Sequence, residues 1–240
     1  MPSLVVLGAG GFLGRALIAQ ERHPMPVRAV VRSKSSIQVD SHPGVSWVEA
    51  DLFSRGWERH VLEADDVVVN LAYVASGGTA ANLRLIDAII EGCRSRRVAR
   101  LVHCSTAVVV GASRSREVSE TTVCEPVTPY ERTKWLVEQH VLMGAGEGLD
   151  MGIARPTAIV GPSGRNLESL ALSLQLRPAL INYLRACLFG RRPLHLVPVN
   201  YVAEALVHLA ARAVPLEGNI FLIAADDDPD NNFPAVEELL

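Results

Sequence analysis

The sequence lacks paired cysteines, long apolar runs and a strong net charge. Its four cysteines show no C-x-x-C pair and no metal-ligand spacing: they are Cys93, Cys104, Cys124 and Cys187. We therefore expect free thiols in a reducing cytoplasm and no metal site. No run reaches the roughly 18 apolar residues of a membrane span, and residues 1–7 lack the features of a signal peptide. A net charge of -3 gives no reason to expect nucleic acid or an anionic membrane as partner.

The composition is that of a globular protein. The 240 residues are 49% hydrophobic and 20% charged, enough for one large or two small domains. Four arginines cluster just before an apolar run, at positions 94, 96, 97 and 100. Basic residues near a helix C-terminus complement its dipole, so we favour this role over a patch for an anionic partner.

Short apolar strands alternate with helical patterns along the chain. Strands are expected at residues 4–7, 27–31, 45–49, 67–72, 100–104, 151–154 and 219–224, and the longest helical patterns cover residues 80–93, 129–143 and 200–211. Strands that are apolar on both faces and alternate with helices predict a parallel sheet covered on both sides. Right-handed crossovers then make the fold an α/β, doubly wound sheet of the Rossmann type, with ligands outside the carboxyl ends of the strands.

A glycine turn follows the first strand and opens a helix. Gly8, Gly11 and Gly14 have the spacing G-x-x-G-x-x-G, with Phe12 and Leu13 between the last two. The glycines allow a tight turn, close approach of a pyrophosphate and close packing of the helix on the sheet. The helix N-terminus offers unpaired N–H groups to phosphates. This run therefore predicts a dinucleotide site.

The end of the second strand suggests which dinucleotide. Arg32, Ser33 and Lys34 stand where an NAD site would normally place a carboxylate for the ribose 2′-hydroxyl. Two cations and a hydroxyl suit a 2′-phosphate, so we expect NADP in preference to NAD; the alternative is a solvated Arg32. Asp51 and Leu52 follow the third strand, where the carboxylate either holds the adenine amino group or caps the next segment.

Tyr130 and Lys134 lie four residues apart in a predicted helix, in the run YERTK. This spacing puts the phenol and the ammonium on one face. A phenol titrates near a pKa of about 10, and a neighbouring positive charge favours the phenolate. The pair is therefore a candidate acid/base site.

With these motifs in order, the chain resembles the extended short-chain dehydrogenases/reductases, and among them the NAD-dependent epimerase/dehydratase family. The resemblance covers nearly the whole chain. It rests on the glycine turn, residues 51–52, 70–72, 104–107 and 109–111, the YERTK run, residues 155–162 and residues 197–203.

The resemblance implies roles at matching positions. Tyr130 would be the acid/base, and Lys134 would bind the nicotinamide ribose beside it. Thr106 would hydrogen-bond the reacting oxygen, and Asn82 would orient a water in a proton relay; a helix cap is its alternative. The remaining cofactor contacts would come from Leu71, Ala72 and the glycine turn, including Phe12 and Leu13.

The chain also departs from the family pattern. Val110 replaces a tyrosine that is common in the family, and no Asp-Glu pair follows Thr106, which disfavours dehydration. Extended members usually run longer, so either the chain is part of a longer protein or its substrate cap is abbreviated. Residues 1–162 would form the dinucleotide-binding domain, residues 163–193 and about 225–240 the cap, and residues 194–224 would return to the first domain. Three cap arginines either meet a substrate diphosphate or lie on a helix surface: Arg165, Arg177 and Arg185.

The family implies hydride transfer between NADP or NAD and a carbinol or ketone carbon. The expected substrate is a nucleotide-activated sugar undergoing epimerisation or 4-keto reduction, and NADP would favour net reduction. Reduction of a small apolar ketone or aldehyde is the alternative reaction, and a non-enzymatic dinucleotide sensor is the alternative class. The resemblance also implies a homodimer through two helices flanking the sheet.

Overall fold

The computed structural model describes residues 1–33, 42–113, 115, 117–145, 148–162, 164, 172, 176, 181, 194–232, 234 and 235. The strands are β1 Leu4–Leu7, β2 Val27–Val31, β3 Val45–Glu49, β4 Val67–Asn70, β5 Arg100–Cys104, β6 Asp150–Pro156, β7 Ala158–Val160, β8 Leu196–Pro198 and β9 Ile220–Ile223. The helices are α1 Phe12–Ile18, α2 Glu58–Val61, α3 Gly78–Ser95, α4 Pro129–Gly144 and α5 Val199–Ala211.

Seven strands form one parallel sheet in the order β3-β2-β1-β4-β5-β6-β9. The predicted doubly wound α/β fold is therefore confirmed. The strand order reverses between β1 and β4, where Leu7 pairs with Val30 on one side and Asn70 on the other. Ligands of such sheets bind in the crevice beyond this reversal, at the carboxyl ends of the strands.

Successive side chains of β1 point to opposite faces of the sheet, and all of them are buried. Both faces of the sheet are therefore covered. Leu4 and Val6 belong to a core layer that includes Leu206 of α5. Val5 and Leu7 belong to a second layer, which includes Ile86 of α3. β1 is consequently apolar at every position, as the sequence predicted.

The structure differs from the sequence prediction in several strands. β4 ends at Asn70 because the Asn70 side chain accepts a hydrogen bond from the Ala72 N–H and turns the chain out of the sheet. β6 extends over Asp150–Pro156, longer at both ends than predicted. β7 and β8 form a separate two-stranded parallel sheet that was not expected.

The arginine cluster joins helix ends to other elements. The Arg100 guanidinium donates to Asp150 at 2.6 Å and to the carbonyls of Leu209 and Arg212, where α5 ends. Arg94 donates to the Gly144 carbonyl at the end of α4. Arg94 and Arg100 thus contact the C-terminal ends of α4 and α5, whereas the sequence interpretation concerned the end of the helix before β5.

The main part of the predicted cap, residues 163–193 with its three arginines, lies outside the described residues apart from 164, 172, 176 and 181. The second part is described at residues 225–232, 234 and 235. Within it, the buried Asn231 side chain donates to the carbonyls of Leu196 and Ala225, which holds this segment against β8. The part of the chain that the structure describes contains no helix long and apolar enough to cross a membrane.

A buried ion pair joins α4 to β6. Glu138 is fully buried, and the Arg155 guanidinium donates to its two carboxylate oxygens at 3.0 and 2.6 Å. Such a pair offsets the cost of burying each charge, whereas removing one partner leaves the other uncompensated.

We expect Glu138→Gln to lower the free energy of unfolding by about 3–5 kcal/mol, because it leaves the Arg155 charge buried and unpaired. Urea titration followed by circular dichroism measures this. The matched control is Asp87→Asn, which removes an exposed carboxylate that contacts His140 and is expected to change stability by less than about 1 kcal/mol. Equal effects of the two substitutions would contradict the assigned role of the buried pair.

Candidate active site

The glycine turn lies directly against the end of β4. Gly8 has a φ of +83°, a conformation that favours glycine, and a Cβ there would lie 2.9 Å from the Ala72 nitrogen. The N–H groups of Gly8 and Ala9 donate to the Val30 carbonyl. The turn is thereby held to β2 and pressed onto β4, at the reversal of the strand order.

The next two glycines serve different purposes. A Cβ at Gly11, the N-cap of α1, would meet just the Gly8 carbonyl oxygen at 3.4 Å among the described atoms. A Cβ at Gly14 would lie 2.6 Å from the Ala9 carbonyl oxygen, so Gly14 permits close packing of α1 on the turn. Gly11 therefore leaves space at the helix N-terminus, where N–H groups face an anion.

A crevice of about 610 Å³ opens beyond the glycine turn. It brings together seven residues that the sequence predicted to bind a cofactor: Gly8, Gly11, Arg32, Asp51, Leu52, Leu71 and Ala72. Other lining residues that the sequence analysis did not select are Gly10, Val30, Val31, Ala50, Phe53, Tyr73, Val74 and Leu85. All of these except Leu85 lie one or two positions from a selected residue in the sequence. Extending each motif by that distance would have found them.

Phe12, Leu13 and Gly14 are absent from the crevice lining. A Cβ at Gly164 would lie 3.0 Å from the Phe12 ring, so this side chain points toward that segment. Leu13 packs against the core layer on the α5 side of the sheet. The three residues thus stabilise the turn and its helix, and direct cofactor contact by their side chains stays a prediction.

The crevice has the features that a dinucleotide requires. The glycines of the turn carry no side chains. A pyrophosphate could therefore approach the backbone N–H groups at the N-terminus of α1. The exposed Arg32 lies at the end of β2, while Lys34 is outside the described residues. One Asp51 carboxylate oxygen accepts from the Phe53 N–H at 3.1 Å, so this residue both caps its segment and lines the crevice.

Local sequence explains how α4 presents Tyr130. Thr128 and Glu131 form a reciprocal capping box, and Pro129 occupies the first turn. Tyr130 follows at once and remains 46% exposed, whereas Lys134, one turn later, is 8% exposed. The pair thus consists of an accessible phenol and a buried ammonium.

Tyr73 contacts both members of the pair and was not selected from the sequence. Its ring meets the Tyr130 ring edge-on, with centroids 5.7 Å apart. The Lys134 ammonium lies 4.8 Å from the Tyr73 centroid, a cation–π contact, and donates to the Cys104 carbonyl at 3.5 Å. Because Tyr73 also lines the crevice, it connects the crevice to the tyrosine–lysine pair.

The titration of Tyr130 differs from the expectation. We expected Lys134 to favour the phenolate, but partial burial, together with Tyr73 and Cys104, raises the pKa of Tyr130 to about 12. The Lys134 ammonium is engaged by Tyr73 and Cys104. In this arrangement Tyr130 keeps its proton at neutral pH.

Burial also lowers the pKa of Lys134, because the low-polarity surroundings disfavour its charge. Cys104 and Glu138 oppose this effect. Glu138 lies one turn beyond Lys134. The carboxylate that pairs with Arg155 therefore also places negative charge near the ammonium.

Thr106 and Asn82 are placed differently from each other. Thr106 follows β5, and its hydroxyl oxygen accepts from the Val108 N–H at 3.4 Å, which leaves its own hydrogen for another acceptor. The Asn82 amide donates to the carbonyls of Val74 and Gly78, and its oxygen accepts from the Val74 N–H. Asn82 therefore holds the loop before α3, and its role toward a water stays a prediction.

No group of three His, Cys, Asp or Glu side chains suited to a metal ion occurs within the described ranges.

Comparison with known proteins identifies relatives of this chain. A sequence profile described as the NAD dependent epimerase/dehydratase family matches residues 4–220. The chain is 35% identical over 172 residues to sterol demethylase protein B of Methylococcus capsulatus, covering 66% of this chain and 52% of that protein. It is 34% identical over 147 residues to the dTDP-4-keto-6-deoxy-D-glucose reductase of Streptomyces niveus, covering 58% and 46%. The chain thus spans about half the length of these curated relatives.

A solved structure shares the fold at lower sequence identity. The dTDP-glucose 4,6-dehydratase of Bacillus anthracis, in complex with NAD, superposes with a TM-score of 0.72 and 18% identity. The match covers 93% of this chain and 76% of that one.

The different surroundings of Gly11 and Gly14 generate a prediction. Gly11→Ala is expected to weaken NADPH binding at least about tenfold, or 1.4 kcal/mol, because its methyl group would stand where a phosphate approaches. Its unfolding free energy is expected to stay within about 1 kcal/mol of wild type. Gly14→Ala is the matched control and is expected to destabilise the fold by about 1–3 kcal/mol through overpacking. Fluorescence titration and urea unfolding measure the two quantities. Unchanged NADPH affinity in Gly11→Ala would mean that no phosphate of the dinucleotide binds at this turn.

Proposed function

The chain belongs to the NAD-dependent epimerase/dehydratase family, and we propose that it transfers hydride between a nicotinamide dinucleotide and a carbinol or ketone carbon. The observation that carries the proposal is the position of Tyr73. This one residue lines the glycine crevice and contacts both Tyr130 and Lys134. A dinucleotide held by the glycine turn would therefore have its reactive end beside an acid/base pair.

The chain's own residues supply binding and proton chemistry. The backbone at Gly8, Gly10 and Gly11 would surround the pyrophosphate, and Lys134 would bind the nicotinamide ribose. The dinucleotide, when bound, supplies or accepts the hydride. Tyr130 and Thr106 would hydrogen-bond the reacting oxygen, and fixed donors of this kind stabilise the charge that develops on it.

Tyr130 carries its proton at neutral pH and can therefore act as the donor in the reductive direction. A phenol that keeps its proton is a donor to a developing alkoxide, whereas oxidation requires the phenolate. We therefore propose net reduction of a ketone as the main reaction, with epimerisation second.

A nucleotide-activated 4-keto sugar is the substrate that we propose. The sequence similarity to a Streptomyces niveus protein named as a dTDP-4-keto-6-deoxy-D-glucose reductase supports this choice. An apolar ketone is the second candidate, because the turn after Thr106 consists of Ala107 and three valines, and because the name of the Methylococcus capsulatus relative refers to a sterol. The expected cap, residues 163–193 and about 225–240, and a homodimer through the exposed faces of α3 and α4 also stay predictions.

Tyr130→Phe tests the acid/base role. The substitution keeps the ring but removes the proton donor, so we expect kcat to fall at least about a hundredfold with NADPH affinity unchanged. NADPH oxidation is followed at 340 nm with a dTDP-4-keto-6-deoxy sugar and with an apolar ketone. Tyr201→Phe is the matched control, because Tyr201 is exposed on α5 away from the crevice. Full activity of Tyr130→Phe would refute the role, and NADPH binding without turnover of either substrate would favour a dinucleotide sensor.

Arg32→Ala tests the proposed preference for NADP. We expect NADPH affinity to fall at least about tenfold because a charge-assisted contact to the 2′-phosphate is lost, while NADH affinity stays constant. Arg59→Ala, which removes a surface arginine that is 77% exposed, is the control. Equal losses for both nucleotides would mean that Arg32 does not read the 2′-phosphate.

A further inference from the structure

A small cavity lies on the buried side of Lys134. Its volume is about 10 Å³, and its lining includes Asn70, Tyr73, Asn82, His103 and Lys134. His103 belongs to β5 and is 2% exposed. The proposed mechanism assigns this histidine no role, although it shares a cavity with the lysine expected to bind the cofactor.

The neighbouring hydrogen bonds define the tautomer of His103. The Asn70 oxygen accepts from the Ala72 N–H at 3.0 Å, which fixes the orientation of the Asn70 amide. Its NH₂ group therefore faces His103 Nδ1, 3.0 Å away, and donates to it. Because Nδ1 accepts, a neutral His103 must carry its hydrogen on Nε2.

That N–H is a buried donor. Among the described residues, none accepts from His103 Nε2. An unsatisfied buried donor costs about 1–3 kcal/mol. The Lys134 ammonium has three hydrogens, and its bond to the Cys104 carbonyl is long, at 3.5 Å. Two residues with such donors, His103 and Lys134, thus line the same small cavity.

The cavity has the size of a site for one water molecule, and its polar groups stand in a lining that also includes Ala72, Leu85, Ile86 and Val137. A volume of about 10–15 Å³ holds a single water when two to four polar partners surround it. A water accepts two hydrogen bonds, which matches the two donors, and Asn82 Oδ1 has a second lone pair that could receive one of its hydrogens. A neutral His103 is consistent with this arrangement, because burial and the nearby Lys134 charge lower its pKa to about 3.

We propose that His103 is a positioning residue for Lys134, acting through one buried water that accepts from His103 Nε2 and Lys134 Nζ. The water gives the ammonium an acceptor on its buried side and so keeps it charged and oriented toward the crevice. Asn70 contributes by holding His103 in the required tautomer. The link from Lys134 to the cofactor rests on the proposed function; the tautomer and the water do not.

Two measurements on the wild-type protein test the water site without any substrate. In ¹⁵N NMR spectra, His103 is expected to be neutral with the proton on Nε2. A high-resolution crystal structure is expected to show one water within hydrogen-bond distance of His103 and Lys134. A proton on Nδ1, or a dry cavity in a map that shows other buried waters, would overturn the proposal.

Matched substitutions test the effect on Lys134. His103→Gln can keep a donor at the position of Nε2, whereas His103→Asn keeps an acceptor for Asn70 but loses the donor into the cavity. Without the water, the charge on Lys134 is less well solvated and its pKa falls further. We therefore expect the pH midpoint of NADPH affinity to drop by at least about one unit in His103→Asn and to stay near wild type in His103→Gln.

The readout is the pH dependence of NADPH affinity by fluorescence titration, with urea unfolding as a check on folding. The titratable groups around Lys134 are Tyr73, His103, Cys104, Tyr130 and Glu138. Identical midpoints in both folded variants would overturn the positioning role. If the wild-type protein binds no NADPH, the proposed function fails, and the NMR and crystallographic results still decide whether His103 holds the water.

Discussion

The burial of the Lys134 ammonium is the constraint on which the site depends. A cation that is 8% exposed loses most of its hydration, which is costly unless other groups replace it. The replacements come from separate parts of the chain: the Tyr73 ring, the Cys104 carbonyl and the Glu138 carboxylate. These contacts form when α4 packs against α3 and β6, so that the Lys134 side chain reaches the Cys104 carbonyl and the Tyr73 ring. Stability and chemistry therefore share one set of contacts.

The same docking joins the two halves of the site. Gly8 touches the backbone at the end of β4 because it has no side chain, and Tyr73 follows that contact by one residue beyond Ala72. The strand order reverses between β1 and β4. The crevice opens at this reversal and extends from the glycine turn toward the side chains of α4. If α4 packed elsewhere on the sheet, the proposed dinucleotide site would have no proton donor beside it.

Much of the fold was predictable because its signals are local. β1, β2, β3 and β5 have the predicted bounds, since each is a short apolar run ended by a turn or polar residue. The start of α4 follows from a capping box that lies within four residues of sequence. β7 and β8 were not predicted, because each has three residues and pairs with a partner distant in sequence. No local pattern marks such a pairing.

The order of the motifs, written in the sequence alone, determined the fold class, the crevice with its glycine turn and the choice of Tyr130, Lys134 and Thr106 as candidates. Only the tertiary structure decided how these groups are placed: that burial raises the pKa of Tyr130, that the Tyr73 ring contacts the Lys134 ammonium, and that Asn82 is bonded to its own loop. Residue spacing along a helix states which side chains share a face. A pKa depends on burial and on every charge and dipole nearby, and those distances exist after distant segments have packed together.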